Sequence, residues 1–559
     1  GSRVHGVYPY GGLRLSHGHK IHDSLLEMQK IGKLPPVIYP IGNSIVFDLL
    51  RKQYESAKDI IILVGEDKEK VYQMVNEDKA CEDNKSIKII DIPLYADLGR
   101  TIQYGLKKTV YPIIINFADT IVDDLSIDED SDDIIYYSKG FYSKKWTYFD
   151  VNENGIIDRI FDKSEKYFEG EKKIFVGVFK ISHPKVLDEI LENNSKIKGE
   201  NIFYKSIQQY SEMYKFKFIE TRKWNDIGHI ENYSQSKLAV QAREFNSIEI
   251  DDNRGILKKT STQKTKLINE ILWYLKLPSD LEYVRPRIFA YSLSYKSPFV
   301  SMEYYAYHTL HELFLYGDLS KQQWVRIFEK IKFICSDFNK YVVEDEAAIN
   351  KSMKDVYLFK TIERIEQLRN NSLFDNFFEK NIIVNGSKFL SLNCIEKKLY
   401  DCVPRILLNR KKFNIIHGDL CFSNILIDDT LSFIKLIDPR GNFGEFDIYG
   451  DQRYEIAKMY HSIDGKYDYV IKDLFKIYFN TDEPTIKFEI QKKLIHDQIK
   501  SVFELCFEDY FNSNKNEIVT IESLLFLSMI PLHKENIKHQ MAFLAIGLNL
   551  LNSVINITV

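Results

Sequence analysis

Short apolar runs alternate with amphipathic stretches from Val37 to about Leu238, a pattern that predicts strands interleaved with helices. Residues 59–65 form one apolar run closed by Gly65, residues 86–92 a second and residues 111–117 a third. A continuous apolar run of this kind predicts a strand buried on both faces, as in a parallel sheet. The third run leads into Ala118-Asp119-Thr120. Ligands of open α/β sheets gather beyond the carboxyl ends of the strands, so Asp119 is a candidate site residue.

Past a polar turn at residues 251–255 the pattern changes. Gly255-Ile256-Leu257-Lys258-Lys259 predicts a short strand, residues 265–275 a helix that carries Glu270, and residues 299–305 an apolar strand ending in Glu303-Tyr304-Tyr305. Neighbouring strand residues face opposite ways, so the sequence leaves open whether Lys258 or Lys259 is the functional lysine. Residues 425–427 and 433–437 predict a hairpin. The mostly apolar residues 541–559 are long enough to cross a bilayer, but Asn549, Asn552, Ser553 and Asn556 would be costly there. A buried last helix, with no membrane span, is the expectation.

At 559 residues the chain exceeds one ordinary core. The change of pattern predicts two domains, residues 3–245 and 246–559. A net charge of −4 gives no basic excess for a nucleic-acid partner. The six cysteines, Cys81, Cys335, Cys394, Cys402, Cys421 and Cys506, lack C-x-x-C spacing, which fits neither a zinc site nor a disulfide framework and points to a reducing cytoplasm.

Candidate chemistry concentrates in residues 413–441, F-N-I-I-H-G-D-L-C-F-S-N-I-L-I-D-D-T-L-S-F-I-K-L-I-D-P-R-G. A hydroxyl attacking the γ-phosphate of ATP needs a carboxylate to orient it and accept its proton, a role suited to Asp419. Mg²⁺ on the phosphates needs hard oxygen ligands, which Asn424 and Asp438 supply from the two strands of the predicted hairpin. The H-G-D and D-P-R-G wording resembles the aminoglycoside phosphotransferase and choline kinase superfamily of small-molecule kinases. The resemblance extends to Gly450-Asp451 and Glu455-Ile456-Ala457-Lys458, similar to the family's G-D-x-x-x-D-L-A, where Asp451 is expected to tie the helix to the catalytic loop. It implies a nucleotide-binding lysine, here Lys258 paired with Glu270, and a hinge through Glu303 that meets the adenine.

The first half resembles sugar-phosphate nucleotidyltransferases. Lys33-Leu34-Pro35-Pro36 and the following Pro40-Ile41-Gly42 match that family's K-P-L segment, Phe117-Ala118-Asp119 its strand ending in G-D, and Trp224-Asn225-Asp226-Ile227-Gly228 its W-x-D-I-G. Phe161-Asp162-Lys163 stands for its E-K, and Phe175-Val176-Gly177-Val178-Phe179 for its N-x-G-x-Y strand. The resemblance implies Asp119 and Asp226 as Mg²⁺ ligands, Lys33 on the nucleotide phosphates, and Lys163 and Gly177 at the acceptor phosphate. Val7-Tyr8-Pro9-Tyr10-Gly11-Gly12-Leu13-Arg14 departs from the family's G-G-x-G-x-R-L loop: Gly11, Gly12 and Arg14 are present at compressed spacing. That leaves a degenerate, ligand-binding first domain as an alternative.

Together the resemblances imply an α/β doubly wound nucleotidyltransferase-like domain followed by a two-lobed, kinase-like α+β domain, its N-lobe at about 246–310 and its C-lobe at about 311–559. The expected activity is bifunctional. ATP phosphorylates a small sugar, polyol or amino alcohol, and a second NTP (CTP, UTP, dTTP or GTP) then activates the product for surface (capsular) polysaccharide synthesis. A choline or amino-alcohol kinase with a cytidylyltransferase remains the other reading.

Overall fold

The computed structural model describes residues 5–9, 35–41, 44–54, 57, 59–65, 68–75, 86–93, 96–125, 133–140, 146–162, 169–194, 201–227, 248–251, 253–317, 319–490 and 494–559. The chain forms two compact units, Gly1–Glu244 and Phe245–Val559.

In the first unit a sheet runs through the strands Ser86–Asp91, Asp59–Val64, His5–Pro9, Ile113–Asn116 and Lys172–Ile181 in that spatial order. The first four are mutually parallel. Residues Ile60 to Val64 are all buried, as a strand covered on both faces requires. Helices Leu98–Leu106, Pro184–Asn193 and Asn201–Met213 contribute Ile102, Leu106, Leu187, Leu191, Phe203 and Ile207 to one cluster with Ile61, Leu63, Ile115 and Phe179.

The doubly wound pattern holds only for that parallel part. Lys172–Ile181 is antiparallel to Ile113–Asn116, and Ile134–Gly140 and Thr147–Val151 pair with it antiparallel as well. At one edge of the sheet, hairpin chemistry follows Thr147–Val151: Asn152 Oδ1 accepts from the backbone N–H groups of Asn154 and Ile156, and Gly155 takes φ +77°. The chain thus turns back directly into Ile157–Asp162 without a crossover helix.

The second unit opens with a four-stranded antiparallel sheet in the order Ile248–Asp251, Ile256–Thr260, Phe299–Glu303, Ile288–Ser292. Helix Lys264–Lys276 follows the second strand and buries Leu267, Glu270, Ile271, Trp273 and Tyr274. The rest is mainly helical, and the hairpin of Ile425–Ile427 and Ile434–Leu436 lies within it. Asp428 closes that hairpin, its Oδ1 accepting the N–H groups of Ser432 and Phe433, both at 2.7 Å.

The last helix, Ile537–Val554, is buried from His539 through Leu548, with Asn549 and Ser553 exposed. Its apolar content is therefore core packing. No helix among the described residues is long and apolar enough to cross a membrane.

Candidate active sites

The second unit assembles its site from three segments. The strand Ile256–Thr260 alternates its side chains, which decides between the two lysines. Lys258 is the outward one: its Nζ meets Glu249 Oε2 at 3.2 Å on the adjoining strand. Lys259 is the inward one, with Nζ 2.9 Å from Glu270 Oε2 and 2.7 Å from Asp438 Oδ1. The expectation placed on Lys258 is corrected to Lys259.

The electrostatics follow from burial. Burial alone would lower the Lys259 pKa, but Asp438 and Glu270 more than offset it, so the amine is held charged above the ordinary lysine range. Glu270 is pushed up to about 7, by burial first and by Asp438 second, with Lys259 opposing both.

The loop 417–424 holds the second segment. Gly418 and Gly441 have φ +79° and +66°, in the left-handed region. A Cβ on Gly441 would sit 2.0 Å from the Asn269 carbonyl oxygen, so only glycine lets the D-P-R-G turn lie against helix Lys264–Lys276. That helix also fixes the loop through Trp273 Nε1, which donates to Ile416 O at 2.7 Å, and Tyr274 OH, which accepts from Asp438 N at 3.1 Å.

Asn424 Nδ2 donates to Asp419 O at 2.8 Å and lies 3.3 Å from Asp419 Oδ2. Its carbonyl oxygen is thereby turned the other way. Ile437 N donates to Asn424 O at 3.0 Å, so the hairpin ladder brings Asn424 beside the residue that precedes Asp438. The Asn424 amide oxygen and the Asp438 carboxylate are the hard donors that suit Mg²⁺.

His417 is fully buried, which pushes its pKa down to about 4 and keeps the ring neutral. Nε2 faces the Ile437 carbonyl at 3.0 Å and therefore donates, leaving Nδ1 to accept from Asp419 N at 3.3 Å. His417 thus shapes the loop through both ring nitrogens.

Helix Gln452–Ile463 supplies the third segment. Glu455 accepts from the backbone N–H groups of His417 and Gly418, each at 2.8 Å, and burial pushes its pKa up to about 7 against those two bonds. Lys458 Nζ lies 2.8 Å from Asp419 Oδ1. Burial would raise the Asp419 pKa, yet Lys458 more than cancels it and holds the carboxyl well below the usual range.

Asp451 does not tie this helix to the loop. As the residue that caps the helix, it accepts from Arg453 N at 3.0 Å, grips the Arg453 guanidinium and accepts from Tyr357 OH at 2.8 Å. Glu455, one turn further on, reaches the loop instead.

Glu303 ends the strand Phe299–Glu303; its Oε2 accepts from Tyr305 OH at 2.6 Å and its N–H donates to Arg287 O at 2.8 Å. With Glu282, Arg285, Arg287, Ile288, Tyr305 and Lys435 it lines a cavity of about 340 Å³ beside the strand end.

In the first unit Asp119 and Asp226 are brought together by backbone pairing. The strand Thr120–Val122 runs antiparallel to Trp224–Asp226, opposing Thr120 to Asp226, and Ile227 N donates to Asp119 O at 2.8 Å. Asp226 Oδ2 accepts from Trp146 Nε1 at 2.9 Å. Ala118, at φ +63°, is held by its N–H to Asn116 Oδ1 at 2.8 Å, which redirects the chain as it leaves the central strand. Gly177, at φ +80°, accepts from Phe117 N at 3.1 Å, and a Cβ there would meet Phe117 Cδ2 at 2.9 Å. Gly177 thus packs under the turn that carries Asp119. Two carboxylates at the carboxyl end of a parallel strand suit a divalent cation shared with phosphates. Gly11, Gly12, Arg14, Lys33, Lys163 and Gly228 lie outside the described residues.

Sequence reasoning missed the pairing of Lys458 with Asp419 and the loop contacts of Glu455. The E-I-A-K run names both residues, but only the helix orientation shows that Glu455 meets the backbone and Lys458 the carboxylate.

No family model matches the chain, and no curated protein matches it. Solved structures similar to its N-terminal part are nucleotidyltransferases. HddC from Yersinia pseudotuberculosis, complexed with GMP-PN, is 16% identical over 43% of this chain and 99% of its own, with a TM-score of 0.30. The CTP:phosphocholine cytidylyltransferase LicC from Streptococcus pneumoniae is 11% identical over 42% of this chain and 99% of its own, with a TM-score of 0.34. The inositol-1-phosphate CTP transferase from T. maritima is 15% identical over 44% and 97%, with a TM-score of 0.32.

Proposed function

We propose that the second unit is an ATP-dependent kinase of a small hydroxyl compound and that the first unit joins the resulting phosphate to a nucleotide. The observation that carries the kinase reading is Lys259, charged and bridging Glu270 and Asp438, with Asp419 and Asn424 on the neighbouring loop. A cation that spans a buried glutamate and a metal-type aspartate is suited to the α- and β-phosphates of ATP.

Asn424 and Asp438 would hold Mg²⁺, which neutralises phosphate charge when bound. Asp419 stays ionised and orients the acceptor hydroxyl. The hydroxyl oxygen forms a bond to the γ-phosphorus as the bond from that phosphorus to the β-phosphate oxygen breaks. ADP leaves, and the hydroxyl proton passes to the Asp419 carboxylate. Lys458, against the same carboxylate, fixes its rotamer and holds it in the basic form.

In the first unit Asp119 and Asp226 would hold Mg²⁺ on a second NTP, with Lys33 and Lys163 on the phosphates. An oxygen of the acceptor phosphate bonds to the α-phosphorus, the bond from that phosphorus to the β-phosphate breaks, and pyrophosphate leaves. The product of the first reaction has the chemistry of the substrate of the second, and an NDP-linked sugar or polyol is a donor for surface polysaccharide.

The test is a product assay on the full chain with ATP, Mg²⁺ and a panel of sugars and alcohols, followed by each of CTP, UTP, dTTP and GTP. ADP formation dependent on an acceptor supports the kinase; its absence over the whole panel, with Asp419→Asn unchanged from the parent, overturns it. Pyrophosphate released on adding one NTP supports the transferase, and its absence with every phosphorylated acceptor overturns that half.

A further inference from the structure

The surroundings of Asp419 carry more positive charge than one carboxylate requires. Lys458 pairs with Asp419 at 2.8 Å, and the same lysine lies 5.9 Å from the centre of the Tyr454 ring. Arg440 lies 6.0 Å from the centre of that ring, donates from Nη1 to Tyr454 OH at 3.0 Å, and packs its Cβ against Gly418 of the catalytic loop. Tyr454 therefore holds two cations beside the Asp419 loop. Lys360, half-buried at the start of helix Lys360–Gln367, is within electrostatic reach of Arg440, Lys458, Arg364 and Asp419.

Among the described residues Lys360, Arg364 and Arg440 have no carboxylate partner; Arg364 bonds only the Gln367 side chain, at 3.2 Å. Lys458, Arg440 and Lys360 thus all act on one carboxylate, and Arg364 adds its charge beside Lys360. The other acids near the loop are committed elsewhere: Glu455 to the His417 and Gly418 N–H groups, Asp468 to His311 and Asp438 to Lys259. Burial, then Arg440, Lys458 and Arg364, push the Lys360 pKa down to about 7, with Asp419 opposing. Desolvated cations crowded together are costly unless an anion joins them. Lys259, which the kinase reading gives to the nucleotide phosphates, pairs with Asp438 and is not part of this cluster.

We propose that the acceptor of the kinase reaction carries its own anionic group, a carboxylate or a phosphate, and that Lys360, Arg364 and Arg440 bind it beside Asp419. The inference rests on the kinase reading and narrows its substrate class. A cationic acceptor such as an amino alcohol or an aminoglycoside would meet repulsion here, whereas a sugar acid, polyol acid or sugar phosphate would be drawn in.

The test uses the full chain with ATP and Mg²⁺ and matched acceptors: glycerate against glycerol, gluconate against glucose, and glucose 1-phosphate against glucose. ADP release gives kcat/KM, and phosphorus NMR identifies the product. The anionic member of a pair should be favoured about tenfold or more, and the carboxylate and phosphate arms tell which anion is held. Lys360→Ala and Arg364→Ala should each lower that preference about tenfold by raising the acceptor KM, with the ATP KM unmoved, and Lys360→Arg should restore it. A purely structural lysine would give no such split. Preference for the neutral member, or an effect confined to the ATP KM, overturns the inference and leaves the kinase reading standing. Absence of any phosphorylated product, with no effect of Asp419→Asn on ATP turnover, overturns the kinase reading and the inference with it.

Discussion

Lys458 Nζ lies 2.8 Å from Asp419 Oδ1, so the carboxylate proposed to face the acceptor is held ionised by a lysine from helix Gln452–Ile463. Asp419→Asn keeps the shape but removes the proton acceptor. The expected result is a fall in kcat of about 10²–10⁴-fold with the ATP KM within a few-fold, measured as ADP release. Full activity in this variant would remove Asp419 from the reaction.

Strand alternation separates the two lysines. Lys259→Ala should lower kcat/KM for ATP by about 10²-fold, since it removes the cation shared by Glu270 and Asp438. Lys258→Ala, which loses an exposed pair with Glu249 and a cation–π contact with Phe299, should stay within about twofold. The reverse ranking would show that the strand register differs in solution.

Glu455 satisfies two buried N–H groups of the loop 417–424. Glu455→Ala leaves both without an acceptor, a local cost of roughly 2–4 kcal/mol. Amide hydrogen exchange at His417 and Gly418 should accelerate, and kcat should fall with it. Unchanged protection of those two amides would mean that the loop is held by its other contacts, Trp273 to Ile416 and Asn424 to Asp419.

What the sequence disclosed depended on how local each relationship was. Asp419, Asn424 and Asp438 sit on one loop and hairpin, so their spacing alone places them near one another. The choice of Lys259 over Lys258 turned on strand parity, which a five-residue run does not reveal. Lys360 and Lys458 come to Asp419 from two separate helices, and no periodicity connects them. Asp119 and Asp226 are joined by pairing between Thr120–Val122 and Trp224–Asp226, visible in the sequence only as an order of motifs. The mixed sheet of the first unit was hidden for a related reason: short hairpin strands carry the same apolar signature as parallel ones.

Lys360 sets a pH dependence. Its pKa of about 7 lies below that of an ordinary lysine, so its charge is present below pH 7 and is lost as pH rises through that value. For an acceptor carrying a carboxylate, whose own charge is constant from pH 6 to 9, kcat/KM should decline across that interval. Lys360→Arg keeps its charge and should flatten the alkaline limb. An alkaline decline unchanged in Lys360→Arg would assign the titration to another group.

The two units carry separate sets of candidate metal ligands: Asp119 and Asp226 in Gly1–Glu244, and Asn424 and Asp438 in Phe245–Val559. Separate sites should fail separately. Asp226→Ala removes one carboxylate of the first pair, along with the acceptor of the Trp146 indole N–H, and leaves every contact of Lys259, Asp419 and Lys458 in place. Pyrophosphate release should drop by about 10²-fold or more while ADP formation continues at the parent rate, so that the phosphorylated acceptor accumulates. Phosphorus NMR of a mixture of ATP, the second NTP and the acceptor resolves both products at once. Loss of ADP formation in the same variant would show one shared active site; an unmutated protein that makes the phosphate but releases no pyrophosphate would show that the compressed Gly11-Gly12-Leu13-Arg14 segment no longer supports nucleotide transfer.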